Sequence, residues 1–174
     1  FLMLDAFDST DPEDYIKGFP WHPHRGIETV TYLVEGEIRH GDSLGNEGVI
    51  RNGDAQWMTA ARGILHKEYH EPEWARQGGR FHMMQLWVNL PSADKMGDPG
   101  YQALTAESMG KVKLPGGGTV TLYAGELDGE TGPARTHTPI ELWDLQLAAD
   151  ETAELTVPDG HTLMLFVLDG HLDT

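Results

Sequence analysis

Two short stretches carry the residue types of a metal site. The first is Gly18-Phe-Pro-Trp-His22-Pro-His24-Arg-Gly-Ile-Glu28. In an extended chain, residues i and i+2 project from one face. Pro23 cannot sit inside a helix, and it biases His22 toward extended backbone. His22 and His24 therefore project in parallel, which makes half a site for Fe, Zn, Cu or Ni. The second stretch is Gly63-Ile-Leu-His66-Lys-Glu68-Tyr-His70. The same period puts His66, Glu68 and His70 on one face. A barrel interior would set the two faces opposite each other. Their sum is imidazole nitrogens and a carboxylate with no sulfur, which suits Fe(II), Mn(II), Ni(II), Cu(II) or Zn(II). Four such ligands leave two positions of an octahedral ion open to water, dioxygen or a chelating substrate.

The fourth position has rivals. Glu28 shares the His24 face if the strand is unbroken, but Gly26 can introduce a bulge that turns it away. His70 lies further along, next to Glu71-Pro72. Both read as neighbours of the ligands, a place where acidic groups fix imidazole tautomers. Arg25 can steer an anionic substrate oxygen or pair with a local carboxylate. Trp57, Met58, Trp87 and the alternating run Phe81–Leu90 read as core, with His82 facing either the barrel or solvent. His137 and His161 have no histidine or carboxylate at i+2 and read as surface residues. There is no Walker loop, GxGxxG or GxSxG.

The elements that must position these residues are strands. Helical periodicity is scarce, and short apolar segments alternate with Gly, Asn, Asp and Pro. Strands are expected at Ile27–Val34, Glu37–His40, Ala55–Thr59, Ile64–His70, Arg80–Leu90, Thr119–Ala124, Leu142–Leu147 and Leu163–Leu168, with a short helix at Leu104–Gly110. A weak internal repeat lays Thr31–Ile38 over Leu165–Leu172: an apolar strand, an acidic residue and Gly, then a second strand. In that overlay His22, His24 and Glu28 fall on Thr156, Pro158 and Thr162, so a second unit would carry no metal ligands.

The chain has 174 residues, enough for one domain or two small ones. It has no cysteine, which excludes disulfides and thiolate metal sites. The formal charge of −16 opposes direct binding of nucleic acid by a basic face. No apolar run is long enough to span a bilayer, and the N-terminus has no signal-peptide pattern. Both ends read as cuts through a longer protein.

Taken together, these motifs resemble the pirin family of the cupin superfamily. The resemblance rests on Gly18–Gly36, Asp42-Ser-Leu-Gly-Asn46, Gly53–Ala60, Gly63–Glu68 and Gln85–Leu90. It implies an all-β bicupin, two antiparallel jelly-roll barrels face to face, the second incomplete in this chain. Residues 1–105 would form the metal-binding barrel, and 106–174 the linker and part of a metal-free barrel. It implies one divalent ion, Fe(II) first with Zn, Mn, Ni or Cu as alternatives, on His22, His24, His66 and Glu68. The implied activity is quercetin 2,3-dioxygenase, opening a flavonol ring with O2; a carboxylate ligand beside two open positions makes Glu68 the expected catalytic base. The alternative is a metal-dependent interaction protein that co-regulates transcription through protein partners. A monomer is expected, cytoplasmic, or nuclear in a eukaryote.

Overall fold

The computed structural model describes residues 1–173. Its first part runs β1 (Met3–Ser9), α1 (Pro12–Tyr15), β2 (Phe19–His24), β3 (Ile27–Glu35), β4 (Glu37–Asp42), β5 (Glu47–Arg51), β6 (Ala55–Thr59), β7 (Ile64–Tyr69), α2 (Pro72–Gln77), β8 (Phe81–Asn89) and β9 (Gly100–Leu104). These strands form two antiparallel sheets, ordered β2-β7-β4-β5 and β1-β8-β3-β6-β9. The two helices are short pieces, of four and six residues, defined by their caps. Asp11 and Glu71 accept backbone N–H groups at the starts, and Pro12 and Pro72 occupy the first helical position.

Leu33 and Met83 of one sheet meet Ile38 and Ile50 of the other, with Tyr15 and Phe81, and close one end of the interior. Ile27, Met58, Ala60 and Ile64 form a second apolar cluster. The interior also buries His24, Thr31, His40, Asp42, Gln56, His66 and Glu68. Burying so many polar groups opposes folding unless they are paired or serve a ligand.

The second part comprises β10 (Gly110–Lys113), β11 (Thr119–Ala124), β12 (Glu126–Leu127), β13 (Glu130–Thr131) and β14 (Leu142–Gln146). It makes a three-stranded sheet, β10-β11-β14, and a two-stranded ribbon, both open. Tyr123 and Ala124 of β11 pack on Val30, Trp57, Leu86 and Val88, the outer face of the five-stranded sheet. Strand β3 is thus covered on both faces, so it reads as a nearly continuous buried run rather than an alternation. The architecture is all-β and antiparallel: one two-sheet barrel and an incomplete second one.

Two expected elements are absent. Leu163–Leu168 has strand composition, yet residues 147–173 pair with no strand among the described residues. Leu163, Leu165, Phe166 and Val167 stand exposed. A strand is made by its neighbour's hydrogen bonds, and this segment has none. The repeat between Thr31–Ile38 and Leu165–Leu172 is therefore not matched by two hairpins. The helix expected at Leu104–Gly110 is one turn, closed by Ser108 N–H on the Thr105 carbonyl at 2.8 Å, between β9 and β10. No helix among the described residues is long and apolar enough to cross a membrane.

Candidate metal centre

Strand β7 lies between β2 and β4, and this order builds the site. On one side His22 stands directly opposite His66. On the other, Asp42 faces His66 and His40 faces Glu68. The irregularity between Phe19 and His22 resets the register so that the two histidines meet. Gly18 at the head of β2 has φ +56°, and a Cβ there would lie 2.6 Å from the Glu68 carbonyl oxygen and 2.9 Å from Tyr69 Cα. Both the left-handed backbone and the close approach require glycine. Gly18→Ala is expected to cost about 2 kcal/mol or more, a fall of about 4–8 °C in Tm for a chain of this size, read by calorimetry.

The rings of His22, His24 and His66 form a near-equilateral triangle, with centroids 4.9, 4.3 and 4.9 Å apart. One nitrogen of each lies within 4.8 Å of the others. The His22 Nδ1–H donates to the Pro20 carbonyl at 2.7 Å, which turns the Nε2 lone pair toward the cluster. His24 Nε2 and both ring nitrogens of His66 are buried without a hydrogen-bond partner. Burial, reinforced by His22, lowers the His24 pKa to about 4. Burial, then His22, His24 and His40, lowers that of His66 to about 3. Both are therefore neutral at pH 7, with lone pairs available. Three convergent imidazoles, two of them neutral with buried ring nitrogens that lack a partner, are a donor set that fits a divalent ion.

Glu68 shares the His66 face of β7, but the structure does not bring it into that triangle. It is fully buried, and its carboxylate accepts from Thr31 Oγ1 at 3.1 Å, from Gln85 Nε2 at 3.2 Å and from Gln56 Nε2. Burial raises its pKa, and the donors from Thr31, Gln85 and Gln56 oppose the rise.

The two rivals for the fourth position are elsewhere. Gly26, with φ +70°, makes the corner where the chain passes from one sheet to the other. Lys95 Nζ holds that corner by donating to the Gly26 carbonyl at 2.7 Å. Beyond it, alternation along β3 aims Thr31 inward and Glu28 outward. There Glu28 accepts from Thr59 Oγ1 at 2.7 Å, and His137, read from sequence as a surface residue, lies 4.0 Å away. His70 is buried at the apolar end, its Nδ1 2.8 Å from the Glu37 carbonyl and its ring stacked on Trp74. Arg25 pairs with no carboxylate among the described residues; its guanidinium lies 3.3 Å from Met96 Sδ.

Sequence reasoning missed His40 and Asp42. Asp42 is fixed by Leu44 N–H and by the backbone and side chain of Asn46, and His40 Nε2 lies 3.2 Å from it. The His40 ring stacks on Tyr101 and is 5.4 Å from the His66 ring. Burial lowers its pKa, against the pull of Asp42. Trp87, expected as core, sets its ring edge-on to His24 at 5.1 Å.

The family model described as Pirin matches residues 1–88. The chain belongs to the pirin family. A Pseudomonas aeruginosa protein provisionally named a quercetin 2,3-dioxygenase is 47% identical over 99% of this chain and 61% of its own length. A Caulobacter vibrioides pirin-like protein is 45% identical over 98% of this chain and 61% of its own length. The crystal structure of a quercetin 2,3-dioxygenase from Acinetobacter baumannii superposes with a TM-score of 0.83 at 44% identity, over 90% of this chain and 56% of that one. The chain thus spans about three-fifths of these pirin-family relatives.

Proposed function

We propose that this chain carries the metal centre of a pirin-type dioxygenase acting on a flavonol such as quercetin with O2. The observation that supports it is the triangle of convergent imidazoles, with His24 and His66 neutral and buried without ring-nitrogen partners, inside a barrel whose relatives bear the quercetin dioxygenase name. His22, His24 and His66 would hold the ion, with Glu68 as the fourth ligand and Fe(II) as the leading metal. Residues 1–105 would make the metal-holding barrel and 106–174 part of a metal-free partner. When bound, the ion supplies Lewis acidity and open positions that a chelating substrate can share.

The protein's own groups then have distinct tasks. Glu68 is the one carboxylate on the inner face of β7, and its raised pKa moves it toward the range useful for a general base. It would take the proton of the flavonol 3-hydroxyl on the Oε2 lone pair that is freed if it loosens from the ion. His24, held edge-on by Trp87, and His22, fixed by Pro20, keep their donor atoms aimed while substrate enters. Trp87 offers an aromatic wall for a planar ring system.

The test is metal analysis of anaerobically purified protein, followed by oxygen uptake with quercetin. One ion per chain and uptake that needs both quercetin and the ion are expected. A loaded protein without uptake would leave a binding role only. Glu68→Gln is expected to lower quercetin kcat by about 10²–10⁴-fold, the usual weight of a general base. Full turnover by that variant would remove the base role.

A further inference from the structure

The polar interior of the barrel contains two glutamines, each held at its far end by an aromatic donor. Gln85 Oε1 accepts from Trp87 Nε1–H at 3.3 Å, and Gln56 Oε1 accepts from the Tyr101 hydroxyl at 3.3 Å. An indole N–H can only donate, so the Gln85 carbonyl must face Trp87 and its amino group must face the other way. That amino group donates to Glu68 Oε2 at 3.2 Å and to Thr31 Oγ1 at 3.1 Å. The Gln56 amino group donates to Glu68 Oε1, which Thr31 also reaches. The ladder makes this possible: Thr31 on β3 stands directly opposite Gln56 on β6 and Gln85 on β8. Three donors thus form one row across three strands, beneath a single carboxylate. A carboxylate offers about four lone-pair directions. Two on Oε1 and one on Oε2 are taken, which leaves one, on Oε2.

We infer that Gln56 and Gln85 are positioning residues for Glu68, leaving it a single Oε2 lone pair for a metal, and that Trp87 locks the Gln85 amide in the required orientation while Tyr101 closes the row at Gln56. The inference rests on the metal centre proposed above. Neither glutamine touches the ion; each acts by fixing the carboxylate. Trp87 links the histidine cluster to this row of donors, since the same side chain edges His24 and orients Gln85.

The test is titration of the metal-free full chain with Co(II), read by calorimetry and by the visible d–d spectrum, with quercetin kinetics alongside. Gln85→Met and Gln56→Met keep side-chain length and remove the donor. Each is expected to weaken Co(II) about ten- to hundredfold, as partners of ligands do. The d–d band should shift, and quercetin kcat should fall with KM changed less than about twofold. Trp87→Phe, which keeps an aromatic ring but removes the indole N–H and shortens the ring system, should reproduce the band shift with a smaller loss of affinity. Wild-type affinity and spectrum in both Met variants would overturn the inference, even if their Tm falls. Failure of the wild-type chain to bind Co(II) would overturn the metal centre itself, a result distinct from equal binding by wild type and variants.

Discussion

His66→Ala is expected to weaken binding of a divalent ion by a hundredfold or more while leaving the metal-free protein about as stable as before. Two terms oppose each other in the metal-free chain. His66 is 1% exposed and both of its ring nitrogens lack a partner. An unsatisfied buried polar group costs about 1–3 kcal/mol, and the substitution removes that cost. It also opens a cavity, but one lined by His22, His40 and Asp42, which water can fill. The sum should lie within about 1 kcal/mol of zero. The comparison is Leu33→Ala, a 0% exposed apolar side chain, for which about 2–5 kcal/mol is lost. The metal term is larger: structural zinc sites give about 10–16 kcal/mol from four ligands, so one ligand is worth several. Thermal unfolding of both metal-free variants, with calorimetric titration, separates the cases. A fall in Tm as large as that of Leu33→Ala would make His66 a packing residue.

The candidate ligands were legible because strand geometry turns spacing into direction. His22-Pro23-His24 and His66-Lys67-Glu68 needed only the period of two. That the two pairs share one wall needed the order β2-β7-β4-β5, which is a long-range property. Whether Glu28 or Glu68 faces inward turned on the φ of Gly26, and sequence could name that hinge without giving its angle. His40-Gly-Asp42 has the same spacing as the histidine pair, so a signal existed. Gln56 and Gln85 left a fainter one, amides at positions of Ala55–Thr59 and Phe81–Asn89 where the flanking residues are apolar. The error at Leu163–Leu168 has a physical origin. Composition reports fitness for a pleated surface, whereas a strand also needs an edge to pair with.

Without metal, the protein is expected to lose stability steeply as pH falls from about 6.5 toward 4. The folded state lowers the His24 pKa to about 4 and that of His66 to about 3, whereas both sit near 6.5 when unfolded. Between those limits the unfolded chain binds protons that the folded chain refuses, so acid favours unfolding. Above the unfolded value both states hold neutral imidazoles and the contribution is flat. Each imidazole contributes at most about 1.4 kcal/mol per pH unit. Glu68 acts in the opposite sense. Its raised pKa lets the folded state take up a proton first, so its protonation stabilises the fold as pH falls. His40 and His70, whose pKa values burial also lowers, act with these two imidazoles against one carboxylate, and the net slope is acid-destabilising. Over two pH units the loss is several kcal/mol, a large part of the 5–15 kcal/mol that holds a domain together. Urea unfolding at pH 8, 7, 6 and 5 measures the slope. Stability should be level between pH 8 and 7 and fall below, and His24→Gln with His66→Gln should flatten the curve. Equal stability at pH 7 and 5 in the wild-type chain would mean that neither imidazole is held neutral by burial, and the proposed centre would lose its ready lone pairs.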